Sequence, residues 1–492
     1  MTLNEPYRPH FHVSPPENWV NDPNGLVYYD GEYHLFFQQN PNDTIWGPMH
    51  WGHAVSRDLV NWVHFPTALY PDEIGTIFSG SAVIDWHNTG GYGEEAMVAI
   101  FTHDTGKNRQ MQSIAYSTDN GRTWTKYEGN PVLEPPNNIR NFRDPKVFWY
   151  ESEEDDGHWV MSVTGGNIIL FFTSPDLKNW ESSGGFGLTH GATCGVWETP
   201  DLFELPVDNG PETRWVLAVA IGGCAPAGGS GIQYFVGDFD GRTFTNDNNK
   251  DLVLWADFGA DFYAPQSWSD APDGRKTWIA WMNNWTYAQD IPTSPWRGAF
   301  TLPRDLTLKT TSEGIRLVQT PITELATLRG EHWSWKEEGV TAVSPQLTKI
   351  SGELFEIIAE FPVSLNMETD RFGLRLRTGD DEQTTIGYAT KEQKLFIDRT
   401  QSGPNDFSNT FGGVHVAPLP PIDGVIRLHI FVDRSSVELF ANDGLLSVTD
   451  QIFPSGNTMQ IELFADGGDP IINQLDIYQL HNAAFSVTQE GN

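Results

Sequence analysis

The feature that most constrains the fold is a short signature that recurs about every 60 residues, the mark of a repeat architecture. "AVSRDLVNW" (54–62), "AYSTDNGRTW" (115–124), "FTSPDLKNW" (172–180) and "VGDFDGRTF" (236–244) align with one another. Each has an apolar strand end, a Ser or Asp, a turn of Asp with Leu or Gly, and an aromatic restart. Between them lie apolar runs bounded by turns, such as "AMVAIFTH", "HWVMSVTG" and "RWVLAVAIG", which read as strands. A fifth unit, "FYAPQSWSDAPDGRKTWIAWMNNW", follows without the full signature, and no segment has a long helical period. Antiparallel sheets repeated radially make a β-propeller, so the expectation is all-β with five blades between residues ~15 and ~315. A pair of long sandwiches or a β-helix is the competing arrangement, although the repeat is long for a β-helix coil.

After "TLPRDLTLKT" (301–310) the character changes. "PITELATL" (321–328) is the best helix candidate, and from about residue 336 new alternating strands begin, including "ELFEIIAEF" and "IRLHIFVDRSSVELFAND". Strands at short spacing with Gly and Asp turns indicate a sandwich. The expected organisation is a propeller over 1–318, a linker over 319–335 and a β-sandwich over 336–492 that packs against the propeller.

The phase of the repeat then bears on function. Each signature lies late in its unit, so the first strand of each unit starts about 30–40 residues earlier, and in a propeller that strand commonly lines the central channel. At this phase stand "NDPNG" (Asp22), "FSGS" (Phe78, Ser79), "NFRDP" (Arg143, Asp144), "VWETP" (Trp197, Glu198) and "DFYAPQ" (Asp261, Tyr263). Any one of these reads as an ordinary turn, since Asp beside Asn, Pro and Gly bonds its own backbone. Their shared phase instead points to one cavity. Converging carboxylates without His or Cys metal spacing suit glycoside cleavage. One acid protonates the leaving oxygen and a second attacks the anomeric carbon or activates water.

Bulk properties exclude other classes. The formal charge of −35, from 65 Asp and Glu against 30 Lys and Arg, disfavours nucleic acid and anionic membranes. The 19 tryptophans suit sugar faces or a packed β core. Cys194 and Cys224 are too few for a disulfide framework and show no metal spacing. His50 and His53 lack a third converging ligand, so no metal and no cofactor is expected. The sequence shows no signal peptide and no apolar membrane span, which leads to a cytoplasmic expectation unless a leader was removed. The sequons at Asn42 and Asn284 read as chance.

The ordered set "ENWVNDPNG", "FFQQNP", "WGPMHWGHAVSRDLVNW", "FSGS", "FRDP", "WETPDLF", "DFYAPQ" and "WMNNW" resembles glycoside hydrolase family 32, the invertases, inulinases, levanases and fructan exohydrolases. "FVDRSSVELFANDG" resembles that family's sandwich, so the likeness covers essentially the whole chain. It implies a five-bladed propeller followed by a β-sandwich. It implies that Asp22 is a nucleophile forming a fructosyl ester, Glu198 the acid/base, and Asp144 a stabiliser gripping sugar hydroxyls. Arg143 would add charge-assisted hydrogen bonds. Asn21, Gln38, Trp46, Phe78, Ser79, Tyr263 and a tryptophan of "WMNNW", Trp281 or Trp285, would line the sugar site. The family usually has Cys after the acid/base; here Thr199 stands there, so a relative's pH optimum does not transfer. The implied substrates are sucrose, fructo-oligosaccharides or fructans. Transfer to sugar acceptors, exo or endo action and oligomeric state stay open, a homodimer through the sandwich being one arrangement. An arabinanase-like propeller glycosidase and a non-catalytic fructan-binding protein are the alternatives. An inverting pair of acids would stand about 6.5–9.5 Å apart and a retaining pair about 5–5.5 Å.

Overall fold

The computed structural model describes residues 5–137, 139–152, 155–364, 366–377, 381–456 and 459–488. Five sheets, each built on four antiparallel strands, follow in chain order, the first carrying two further strands and the fourth one, and the first antiparallel strand of each is innermost. These strands are Asn18–Tyr29, Thr76–Asp85, Phe142–Ser152, Trp197–Pro206 and Tyr263–Ser267. Each touches the innermost strand of the next sheet, and the fifth touches the first, which closes the ring of a five-bladed propeller.

Packing explains why these strands read as nearly continuous apolar runs. A blade is covered on both faces, so both sets of alternating side chains are buried. In Ala96–Asp104, Met97, Ala99 and Phe101 face the first blade's Phe36 and Trp51. Val98 and Ile100 of the same strand face the third blade's Val147 and Met161.

The repeating signature is the turn into the outermost strand. In the first blade Asp58 accepts the backbone N–H of Val60 and Asn61, and Leu59 takes φ 61°. In the third blade Asp176 accepts from Lys178 and Asn179, with Leu177 at φ 64°. Asp240 does the same for Arg242 and Thr243, with Gly241 at φ 84°. The aromatic restart is fixed as well: Trp62 and Trp180 donate their indole N–H to the Leu59 and Leu177 carbonyls. One local hydrogen-bonding solution therefore generates the repeat.

The ring is locked by its first blade. Trp296–Arg297 pairs in parallel beside Asn18–Trp19, and Phe485–Val487 pairs in parallel with Trp62–His64. The last propeller strand, Gly314–Pro321, is separated from the first sandwich strand, Arg329–Gly339, by the 3-10 helix Thr323–Leu328. The connection is thus shorter than the 319–335 linker expected from the sequence. Arg329–Gly339 is a mostly exposed edge strand, "RGEHWSWKEEG", and carries too little apolar alternation to announce itself.

Two six-stranded sheets form the sandwich around one apolar core, with the short helix Val340–Leu347 packed on it. Buried charges dock the sandwich on the propeller. Arg304 pairs with Asp257 at 3.1 Å and with Glu438 of the sandwich at 2.6 Å. His12 bridges Asp433 at 2.7 Å and Glu438 at 2.8 Å, and Arg399 meets Asp261 at 2.6 Å.

Candidate active site

All five innermost strands break register near the start of their run. Such bulges add a residue, bend the strand and re-aim side chains. Proline accompanies four of them, at Pro23, Pro145, Pro200 and Pro265, where a lost N–H costs least. Directly before three of these prolines, Asp144, Thr199 and Ala264 hold φ of 66°, 43° and 53°. Left-handed backbone in residues other than glycine costs about 1–3 kcal/mol each and persists only where surrounding bonds over-determine it. Here the Thr199 N–H donates to Asp144 Oδ2 at 3.0 Å, and Gln266 Nε2 donates to the Thr199 carbonyl at 3.2 Å. The Asp144 N–H donates to Thr102 Oγ1 at 3.0 Å.

The bulges aim their side chains into one cavity of about 230 Å³. Asp22, Asp144 and Glu198 line it, with Asn21, Gln38, Ser79 and Arg143 between them and Trp46, Phe78 and Trp285 as apolar walls. Asp22 is held at both oxygens: Asn21 Nδ2 donates to Oδ1 at 3.0 Å and Ser79 Oγ to Oδ2 at 2.7 Å. Trp19 donates to Asn21 Oδ1 at 2.8 Å, which fixes which end of that amide faces Asp22. Burial raises the Asp22 carboxyl to about 6; the Ser79 and Asn21 bonds oppose this and the charge of Glu198 adds to it. Burial also raises Asp144, against the attraction of Arg143, and the charges of Glu198 and Asp22 push the same way.

Glu198 accepts at both oxygens too. Arg143 donates to Oε1 from Nη2 at 2.7 Å and from Nε at 3.2 Å, while the Tyr263 hydroxyl donates to Oε2. The guanidinium is itself oriented by Gln110 at 3.2 Å and Asn141 at 3.0 Å, and lies 3.8 Å from Asp144. Tyr263 stands behind Glu198 rather than on the cavity wall. The two tryptophans of "WMNNW" separate in the same way. Trp285 lines the cavity, whereas Trp281 is fully buried behind it, 4.8 Å away ring to ring. Gln38 spans Asn24 at 2.9 Å and the Ile77 carbonyl at 3.1 Å, tying the first blade to the second at the floor.

Sequence reading missed Gln110, Asn141, Thr102 and Gln266, which position the acids without touching the cavity. Asn141 and Gln266 sit inside "NFRDP" and "DFYAPQ" and could have been singled out. Thr102 and Gln110 come from neighbouring strands and carry no local signal. Among the described residues, no group of three or more His, Cys, Asp or Glu could hold a metal ion. His53 is buried and bonded to His34 at 3.0 Å, and His50 bonds the Pro48 carbonyl at 3.0 Å. Cys194, in the loop before the Glu198 strand, and Cys224, in the loop between the second and third strands of the same blade, form one disulfide with Cα atoms 6.3 Å apart. No helix among the described residues is long and apolar enough to cross a membrane.

Residues 12–321 match the N-terminal domain of glycosyl hydrolases family 32, and residues 324–479 match that family's C-terminal domain. The chain belongs to glycoside hydrolase family 32. It is 53% identical to the levanase of Bacillus subtilis (strain 168) over 97% of this chain and 71% of that protein. Its fold overlays the exo-inulinase from Aspergillus awamori with TM-score 0.90 at 38% identity, over 98% of this chain and all of that one. The β-fructofuranosidase from Schwanniomyces occidentalis complexed with fructosyl-erythritol gives TM-score 0.87 at 34% identity, over 97% and 98% of the two chains. This family-32 chain is a glycoside hydrolase of the fructosidase type. The alternatives of an arabinanase-like enzyme and a non-catalytic binder are not favoured.

Proposed function

We propose that the protein releases terminal β-D-fructofuranosyl units from sucrose, fructo-oligosaccharides and fructans through a covalent fructosyl ester on Asp22. The observation that carries this reading is the convergence of Asp22, Asp144 and Glu198, from three blades, on one small cavity. Asp22 is assigned the attack: the neutral donors Asn21 and Ser79 aim both its oxygens, so little reorganisation stands between it and the anomeric carbon, whereas Glu198 is paired with the Arg143 cation. Its elevated pKa of about 6 leaves it ionised at neutral pH and more nucleophilic than an ordinary carboxylate.

Glu198 delivers a proton to the leaving oxygen and then withdraws one from the incoming water. Arg143 holds Oε1 in both steps, and Tyr263 donates to Oε2 when Glu198 is ionised. Asp144, stiffened by the Thr199 N–H, grips ring hydroxyls as positive charge develops on the sugar. Trp46, Phe78 and Trp285 exclude water from the apolar sides of the ring. A second sugar in place of water would give transfructosylation from the same ester. The relatives named levanase, exo-inulinase and β-fructofuranosidase support this substrate class. The test is incubation with sucrose, kestose, inulin and levan, with free hexoses quantified. Fructose release is expected, and no fructose from any of the four would overturn the reading.

A further inference from the structure

The catalytic cavity is not the largest concavity of the propeller. The innermost strands all begin at the catalytic mouth, and their far ends surround a second mouth. Asp22 and Tyr29 lie seven residues apart on one strand, roughly 20 Å at the usual rise per residue. At this second mouth three basins of about 350, 470 and 350 Å³ adjoin. The central basin shares Trp86 and Asp270 with one neighbour and Trp149, Glu204 and Trp215 with the other, so the three form a continuous track.

We propose that this track is a non-catalytic binding site for a neutral oligosaccharide chain. Trp86 is 50% exposed, although burial is the rule for this side chain. It is not loose: its indole N–H donates to Asp270 at 2.9 Å, and its ring lies 5.9 Å from that of Tyr29. Tyr29 is fixed in turn by Glu95 at 2.8 Å, and Trp149 donates to Glu151 at 3.3 Å. Trp86 is the exposed face, with Tyr29 and Trp149 half-buried along the same track, and aromatic faces fixed in this way lose little entropy on binding. Flat faces interleaved with carboxylate acceptors match a sugar, whose C–H faces are apolar and whose edges donate hydroxyls. Lys276, part-buried in the central basin with its ammonium 6.0 Å from the centre of the Phe203 ring, supplies a donor for hydroxyl oxygens. The carboxylates along the track and the net charge of −35 turn away phosphates and other anions. Three adjoining basins of several hundred Å³ each offer room for several sugar rings rather than one. Its distance from Asp22 makes it an anchor that raises the local concentration of polymer rather than an extension of the catalytic site.

Choosing a fructan as the ligand rests on the activity proposed above, but the test reads mobility and not turnover. The protein is run in native gels containing levan or inulin, beside gels without polymer. Retardation by at least one polymer is expected for the unmodified protein and for Asp22→Asn. It should be roughly tenfold weaker in affinity, about 1.4 kcal/mol, for Trp86→Ala combined with Trp149→Ala. That variant should keep its rate on sucrose, and Trp86→Tyr should recover part of the retardation. Retardation unchanged in the double variant, or absent throughout, would overturn the proposal. A protein that is retarded yet releases no fructose would sink only the catalytic reading.

Discussion

Replacing Asp22 by Asn should change stability with a sign that depends on pH. Asp22 has a folded pKa of about 6 against an ordinary value of 3.8. Below pH 3.8 the carboxyl is protonated both folded and unfolded, and burying it carries no ionic cost. The cost grows as pH rises between the two values and is complete above the folded pKa. At 1.36 kcal/mol per pH unit it reaches about 3 kcal/mol. Asn escapes this cost, since it has no charge to bury. It also loses something: its oxygen can still accept from Ser79, but its NH2 then meets the NH2 of Asn21, which Trp19 holds in place. One lost hydrogen bond is worth about 1 kcal/mol. The variant should therefore be about 0.5 kcal/mol less stable than the parent at pH 4 and about 2 kcal/mol more stable at pH 7.5, crossing near pH 4.5. Denaturant titration of both proteins at several pH values measures this. The melting point at pH 7.5 should rise by a few degrees at most, because so long a chain unfolds with a large entropy. A stability difference that keeps one sign and size from pH 4 to 7.5 would refute the reasoning.

Other substitutions separate the roles within the site. Glu198→Ala should slow sucrose cleavage by about 10²–10⁴ yet lose much less with an activated fructoside, and azide should then yield a fructosyl azide of retained configuration. Asp144→Ala should lose rate on both substrates alike; rescue of Asp22→Ala, instead of Glu198→Ala, by the better leaving group would reverse the assignment. The acid limb of kcat/KM should lie near pH 6, following ionisation of Asp22, and Ser79→Ala should move it upward because a bond favouring the carboxylate is lost; a limb that stays put contradicts the link. Trp285→Ala should chiefly raise KM, whereas Trp281→Ala should cost about 3–5 kcal/mol of stability, both read from kinetics beside denaturant titration.

How much of this was legible in the sequence follows from how local each interaction is. The turn signature is readable because Asp58, Asp176 and Asp240 bond backbone groups two or three residues away. The shared phase of Asp22, Asp144 and Glu198 beside proline is readable because each bulge is written into its own strand. What failed to show depends on contacts between strands and blades. Gln110 reaches Arg143 from the neighbouring blade, 33 residues earlier. Trp281 and Trp285 differ only in depth, which is set by Trp19 and Tyr263 packing against them from other strands. The two cysteines meet only because the loops before and within the fourth blade lie side by side. The return of Phe485–Val487 to the first blade leaves no mark in so short a strand.

The central claim is that Asp22 becomes covalently bonded to the fructosyl group, and methanolysis tests it most directly. Sucrose is incubated with the protein in water containing methanol, and the methyl fructoside formed is identified by NMR before it can be hydrolysed. An ester on Asp22, opened from the opposite side, predicts methyl β-D-fructofuranoside, and none from Asp22→Ala. Methyl α-D-fructofuranoside, or the same product from Asp22→Ala, would contradict the account.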